Sequence, residues 1–165
     1  KYKYYCTHCF ANLFPNDPLT SGIRLKSKEN QVRDFLNSNY EGFIHDQPIF
    51  TDACDCSHKR RIDHRMLIGN TLLCVETDEF QHKRHNNTNY EEVRYEDLYM
   101  IHGGKFIFIR FNPDKYVNSD GVVIETSIKK RLGDLKDEID KQIERISAEE
   151  NKDLVEIIYL FYDEI

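Results

Sequence analysis

Leu72-Leu73-Cys74-Val75 is apolar at four successive positions and is followed at once by Glu76, Asp78 and Glu79. A strand that is apolar on both faces has to sit in the middle of a sheet. Arg61 to Ile68 forms a second apolar-rich run before it, and Gly69-Asn70 joins the two as a tight hairpin turn. Phe106-Ile107-Phe108-Ile109 reads as another buried strand, stopped by Pro113. Cys74, inside the central run, is expected to be a buried strand residue.

Between and around these strands the period changes from two to about four. A helix is expected after Ser27, with Glu29 in its first turn and Val32, Phe35 and Leu36 as its apolar stripe, and a short strand follows around Gly42 to His45. Tyr90 to Ile101 predicts a helix whose inward face is Val93, Leu98 and Ile101, ended by Gly103-Gly104. Ile128, Leu132, Leu135, Ile139, Ile143 and Ile146 mark a long amphipathic helix, and Leu154, Ile157, Ile158 and Phe161 repeat the spacing, which predicts a second C-terminal helix. The order gives an α/β fold, a mixed central sheet flanked by helices. We divide it into an N-terminal segment (1–26), a core (27–116) and a C-terminal helical extension (117–165) packed on that core as one compact domain. The narrow apolar faces of the last segment also leave a homodimer open.

With 165 residues, 39% of them hydrophobic and 32% charged, the chain reads as one soluble domain, and no apolar run approaches the length of a membrane span. Its net charge of −6 excludes a uniformly basic nucleic-acid coat. The acidic excess lies in the last quarter, and basic residues cluster elsewhere, at Lys59-Arg60-Arg61 with Arg65 and at Lys83-Arg84. Such clusters suit phosphate backbones. Five cysteines without a secretory signal argue against a disulfide framework and for an intracellular setting, whether nucleus, cytoplasm or viral factory. Cys6-x-x-Cys9 and Cys54-x-Cys56 supply four thiolates in two close pairs, a zinc-binding pattern with His8 or His58 as substitutes, which would pin the N-terminal segment to the 54–58 loop. A start at Lys1 reads as a piece of a larger host polypeptide.

Asp63, Glu76, Asp78 and Glu79, followed by His82, gather acids and an imidazole at one sheet edge. Carboxylates held this close repel unless a cation neutralises them, and oxygen ligands of this kind suit Mg²⁺ or Mn²⁺. Glu76 and Asp78 share a face of their pleated strand, so both can reach one ion with Asp63 from the neighbouring strand. His64 is expected on the opposite side of its strand, while His45, His85 and His102 stand apart from the acids.

These residues resemble the P-D-(D/E)-x-K nucleases, whose core runs α-β-β-β-α-β. The resemblance covers residues 27 to 113: a helix with Glu29, Ile62-Asp63 on one hairpin strand, Val75-Glu76-Thr77-Asp78 ending the next, then a helix and Ile107-Phe108-Ile109-Arg110-Phe111. Within that superfamily the chain looks like the very-short-patch-repair branch and its homing-endonuclease relatives, which place an acid-rich strand end a few residues before a histidine. The superfamily's lysine is replaced here by Asp78 and its proline by Ile62; the branch often lacks that lysine and uses a nearby histidine, the place of His82. The resemblance implies a restriction-endonuclease-like fold, with a zinc knuckle added, that hydrolyses DNA phosphodiesters with Mg²⁺. Asp63, Glu76 and the Thr77 carbonyl would hold the ion, His82 would transfer the proton, Glu29 and Asp97 would be supporting acids, and Lys59, Arg60, Arg61, Arg65, Lys83 and Arg84 would contact DNA. Two other readings fit the same residues: a catalytically inactive, zinc-stabilised DNA-binding module, and an interaction domain with solvated acids.

Overall fold

A computed structural model of the chain describes residues 4–5, 10, 13–14, 17–20, 27–49, 61–79, 81 and 88–164. Its elements run α1 (Ser27–Asn39), β1 (Ile44–Pro48), β2 (Arg61–Ile68), β3 (Thr71–Thr77), α2 (Thr88–His102), β4 (Lys105–Phe111), the small hairpin β5 (Tyr116–Val117) and β6 (Val123–Ile124), α3 (Ile128–Ser147) and β7 (Val155–Leu160). Five strands form one sheet in the order β1-β2-β3-β4-β7. The first three are antiparallel neighbours, and β3, β4 and β7 are parallel. Parallel neighbours need a crossover, and α2 and α3 supply the two required.

The central position expected for β3 is met, since all seven of its residues are buried. Its turn from β2 is a two-residue connection between Ile68 and Thr71, with Gly69 at φ +58. An L side chain rarely adopts that conformation, which is why glycine opens such turns. Alternate residues of the sheet feed two cores. Leu73, Val75, Ile107, Ile109 and Phe111 pack under Val32 and Leu36 of α1 and Leu132, Leu135, Ile139 and Ile146 of α3. Leu72, Cys74, Phe106 and Phe108 pack against Leu98 of α2 and, at the margin, Val155 and Ile157 of β7. The Tyr40 hydroxyl, just beyond α1, donates to Asp140 Oδ1 at 2.7 Å and ties the two helices of the first layer together.

Two expectations are corrected. The second C-terminal helix is a strand: β7 pairs with β4 from Phe106↔Val155 to Phe111↔Leu160. Ile157 and Ile158 lie on opposite faces of the sheet and join different cores, so the spacing read as a helical repeat belongs to a strand buried from both sides. Over six residues periodicity does not separate the two, and the β-branched Val155, Ile157 and Ile158 favour the strand. Residues 117–165 therefore complete the central sheet rather than forming a helical extension upon it. In α2 the inward face is shifted by one residue: Val93 is exposed, and Arg94 is buried beside Leu98. Among the described residues no helix is long and apolar enough to cross a membrane.

Candidate functional site

Parallel pairing brings the carboxyl ends of β3 and β4 side by side, with Glu76 opposite Arg110 and Thr77 opposite Phe111. The Asp78 N–H continues this ladder, donating to the Phe111 carbonyl at 2.8 Å. Asp63 comes from the antiparallel neighbour β2, and its Oδ2 accepts the Thr77 N–H at 2.9 Å. That bond holds the Asp63 carboxylate against the end of β3, beside Glu76. The sequence therefore places Asp63, Glu76 and Asp78 together, on two neighbouring backbone segments fixed by sheet hydrogen bonds.

Two arginines meet these acids. Arg94 of α2 donates from Nη2 to Glu76 Oε1 and, at 3.1 Å, to the Arg61 carbonyl, and so bridges the ends of β3 and β2. Its guanidinium lies 5.9 Å from the centre of the Phe108 ring, within cation–π range. Arg110 donates from Nε to Asp78 and from Nη1 to Glu91 Oε2 at 2.6 Å and to the Tyr95 hydroxyl at 3.0 Å. The Tyr162 hydroxyl, just after β7, donates to the same Asp78 oxygen. Asp78 is only 1% exposed, so the structure makes it the anchor of Arg110 and Tyr162.

Glu76 remains the electrostatically strained member. Burial pushes its carboxyl up to about 8; Arg94 pulls it down, while Asp63 and Asp78 push it further up. Desolvation thus outweighs one guanidinium, and a second negative charge nearby adds to the deficit. Burial and the Glu76 charge also raise the Cys74 thiol two residues earlier. At Tyr162, burial and then the Asp78 charge push the phenol well above its ordinary range.

This donor set fits a hard divalent cation in part. Among the described residues no three His, Cys, Asp or Glu side chains converge closely enough to hold a metal. Asp63 and Glu76 supply two carboxylates from adjacent strands, and Mg²⁺ is commonly held by one or two carboxylates with the rest of its shell from water, carbonyls and phosphate. The Thr77 carbonyl, next to Glu76 in the chain, is the backbone candidate that the sequence suggests. Asp78, committed to Arg110, is not part of such a set.

Of the other residues singled out, Glu29 lies half-buried in the first turn of α1 and Asp97 half-buried on α2. Arg61 is exposed at the start of β2, with Nη1 3.4 Å from Asp46 Oδ1, in keeping with a surface role. Arg65 corrects the expectation of a DNA-contacting side chain: it pairs with Cys74 across the ladder, is buried, and donates to the Gln47 carbonyl. His64 packs away from the acids; its Nδ1 lies 2.9 Å from His45 Nδ1, and His45 Nε2 lies 2.8 Å from Asn37 Oδ1 on α1. His82, Lys59, Arg60, Lys83, Arg84 and the four zinc-pattern residues Cys6, Cys9, Cys54 and Cys56 lie outside the described residues.

The residues that sequence reasoning missed are Arg94, Glu91, Tyr95 and Tyr162. Arg110 carried a usable signal, because a lone arginine inside an apolar strand has to find a buried partner. Arg94 carried none, for its neighbour Val93 fitted the apolar stripe better. Compared with protein families, with curated proteins and with solved structures, the chain finds no match.

Proposed function

We propose that this protein is a metal-dependent DNA endonuclease, similar to the very-short-patch-repair and homing branch of the P-D-(D/E)-x-K nucleases. The observation that carries the reading is the juxtaposition of Asp63 and Glu76, two carboxylates from neighbouring antiparallel strands, one of them buried and driven toward protonation partly by the other. The element order α1-β1-β2-β3-α2-β4 agrees with the order that the resemblance implies.

Asp63 and Glu76, with the Thr77 carbonyl, are the residues that would hold Mg²⁺ or Mn²⁺. A divalent ion there supplies Lewis acidity toward a phosphoryl oxygen and lowers the pKa of bound water. The Thr77 N–H fixes the Asp63 carboxylate, so the pair is oriented before any ligand arrives. Arg110 and Tyr162 hold Asp78 and keep the end of β3 rigid against β4. His82, four residues beyond Asp78, is the proton-transfer group of this reading, and Lys59, Arg60, Arg61, Lys83 and Arg84 would follow the DNA backbone. Zinc at Cys6, Cys9, Cys54 and Cys56 would be structural.

One observation favours a second reading. Arg94 and Arg110 already occupy Glu76 and Asp78 as ion-pair partners, as they would in an inactive DNA-binding module that keeps a nuclease-like core. Supercoiled plasmid incubated with Mg²⁺ or Mn²⁺, beside EDTA and Glu76→Ala controls, separates the two. Nicking or linearisation that needs both metal and Glu76 is the expected outcome, whereas retardation of DNA without any cleavage would replace the nuclease with the module.

A further inference from the structure

A cavity of about 450 Å³ opens at the end of the sheet opposite Asp63 and Glu76. Asn70 and Thr71 line it from the β2–β3 turn, Lys105 from the start of β4, and Glu149, Asn151 and Lys152 from the connection between α3 and β7. Thr71 opens β3 and Thr77 closes it, so the length of the strand, about 20 Å, separates the cavity from the acids. Its volume falls within the range of small-molecule sites.

The floor is built before any ligand arrives. Asn151 and Thr71 are buried, and Asn151 Nδ2 donates to Thr71 Oγ1 at 3.0 Å. The Lys105 ammonium donates to the Asn151 carbonyl at 2.6 Å, and the Lys152 ammonium to the Glu149 carbonyl at 2.7 Å. Both acceptors are neutral, so these bonds fix the position of two positive charges without cancelling them. The C-terminal end of a helix ordinarily repels an anion through its free carbonyls. Here those carbonyls are covered: Ile143 accepts the Ser147 hydroxyl, Glu144 the Ala148 N–H, Arg145 the Glu150 N–H and Ile146 the Glu149 N–H.

The last two of these bonds form a Schellman turn, in which the residue in the left-handed conformation is usually glycine. Glu149 stands there instead, at φ +56. A side chain kept where glycine fits better is strain of the kind that collects at ligand clamps, and this one borders the cavity. The opening thus presents two fixed cations, a carboxylate that accepts hydrogen bonds, the amide of Asn70 and an apolar wall from Ile68 and Ile146. Among the described residues no aromatic ring lines it, so it offers no stacking platform for a base.

We propose that this cavity is a binding site for a small sugar phosphate: Lys105 and Lys152 take the phosphate, and Glu149 accepts hydrogen bonds from the sugar hydroxyls. A phosphomonoester carries nearly two negative charges at neutral pH, which two ammoniums match as point charges. The site is independent of the nuclease reading and requires neither metal nor DNA.

The test is titration of the isotope-labelled chain with ribose 5-phosphate, followed by amide chemical shifts, beside parallel series with ribose and with inorganic phosphate. Ribose 5-phosphate should give saturable shifts at residues 69–71, 105 and 147–152 below about 10 mM, and ribose alone should give none. Lys152→Met should weaken that binding about tenfold. Lys105→Met should weaken it comparably, with a melting curve to separate loss of the ligand from loss of the Asn151 bond. Glu149→Gly removes the backbone strain together with the carboxylate. It should therefore melt a few degrees higher, bind ribose 5-phosphate several-fold more weakly and bind inorganic phosphate at least as well as the wild type. Equal affinity of the wild type and Lys152→Met, or no saturable shift at these residues, would overturn the proposal. Inorganic phosphate binding as tightly as ribose 5-phosphate, with both unchanged in Glu149→Gly, would reduce the cavity to a site for a bare anion and remove the sugar from the assignment.

Discussion

Glu76 combines burial, a partner of opposite sign and two neighbours of its own sign, and its protonation is therefore coupled to folding. Its carboxyl is raised from 4.5 to about 8. Between those values the folded chain holds a proton that the unfolded chain has released, so this contribution to stability is complete below about 4.5 and is lost as pH rises through about 8. In EDTA, the melting temperature of the wild type should fall from pH 5 to pH 9 more steeply than that of Glu76→Gln, which keeps the shape without the titration. Parallel curves would show that Glu76 is ionised throughout. Asp78 and Arg110 make a second prediction. Side-chain exposures of 1% and 7% mean that removing one partner leaves a buried charge, and Arg110→Met should cost about 3–5 kcal/mol in urea denaturation. Adding Asp78→Leu should recover much of that loss, since no ion is then stranded; a double variant as unstable as the single one would place the role of Arg110 in its bonds to Glu91 and Tyr95 instead.

At the level of elements, the hairpin β2–β3, the helices α1 and α3 and the strand β4 were legible in the sequence because each is long, strongly patterned, or closed by Gly69-Asn70 or Gly103-Gly104. β7 was not, since apolar residues at 154, 157, 158 and 161 satisfy a helical period as well as a doubly buried strand. The face of α2 was misread for a different reason. Its pattern is weakly amphipathic, and only the acid waiting at the end of β3 makes Arg94 the residue that turns inward. The placement of β7 has a direct consequence for the limits of the fold. A chain ending at residue 116 would lose α3 and β7, exposing Ile107, Ile109 and Phe111 and turning β4 into an unprotected edge. It should fail to unfold cooperatively by circular dichroism and should aggregate. A sharp, reversible transition for that fragment would restore the C-terminal part to the status of an appendage.

For the whole molecule, the acids of the candidate site were visible in the sequence because they cluster where an apolar strand ends, and the structure brings Asp63 and Glu76 together while Asp78 pairs with Arg110. Arg94 was invisible, because its charge is recognised only through the partner that tertiary structure brings to it, whereas Arg110 stood out as a lone charge inside an apolar strand. The zinc pattern is a claim of the same global kind, linking the N-terminal segment to residues 54–58 across the chain. A strong zinc chelator should lower the melting temperature of the purified protein, and a curve indifferent to it would remove zinc from the description. The central claim, that Asp63 and Glu76 together hold a divalent ion, is tested most directly by Mn²⁺ titration followed by electron paramagnetic resonance at pH 8. One Mn²⁺ should bind per wild-type chain and be lost in both Asp63→Ala and Glu76→Ala. Binding that survives either substitution, or no binding by the wild type with DNA present, would contradict it.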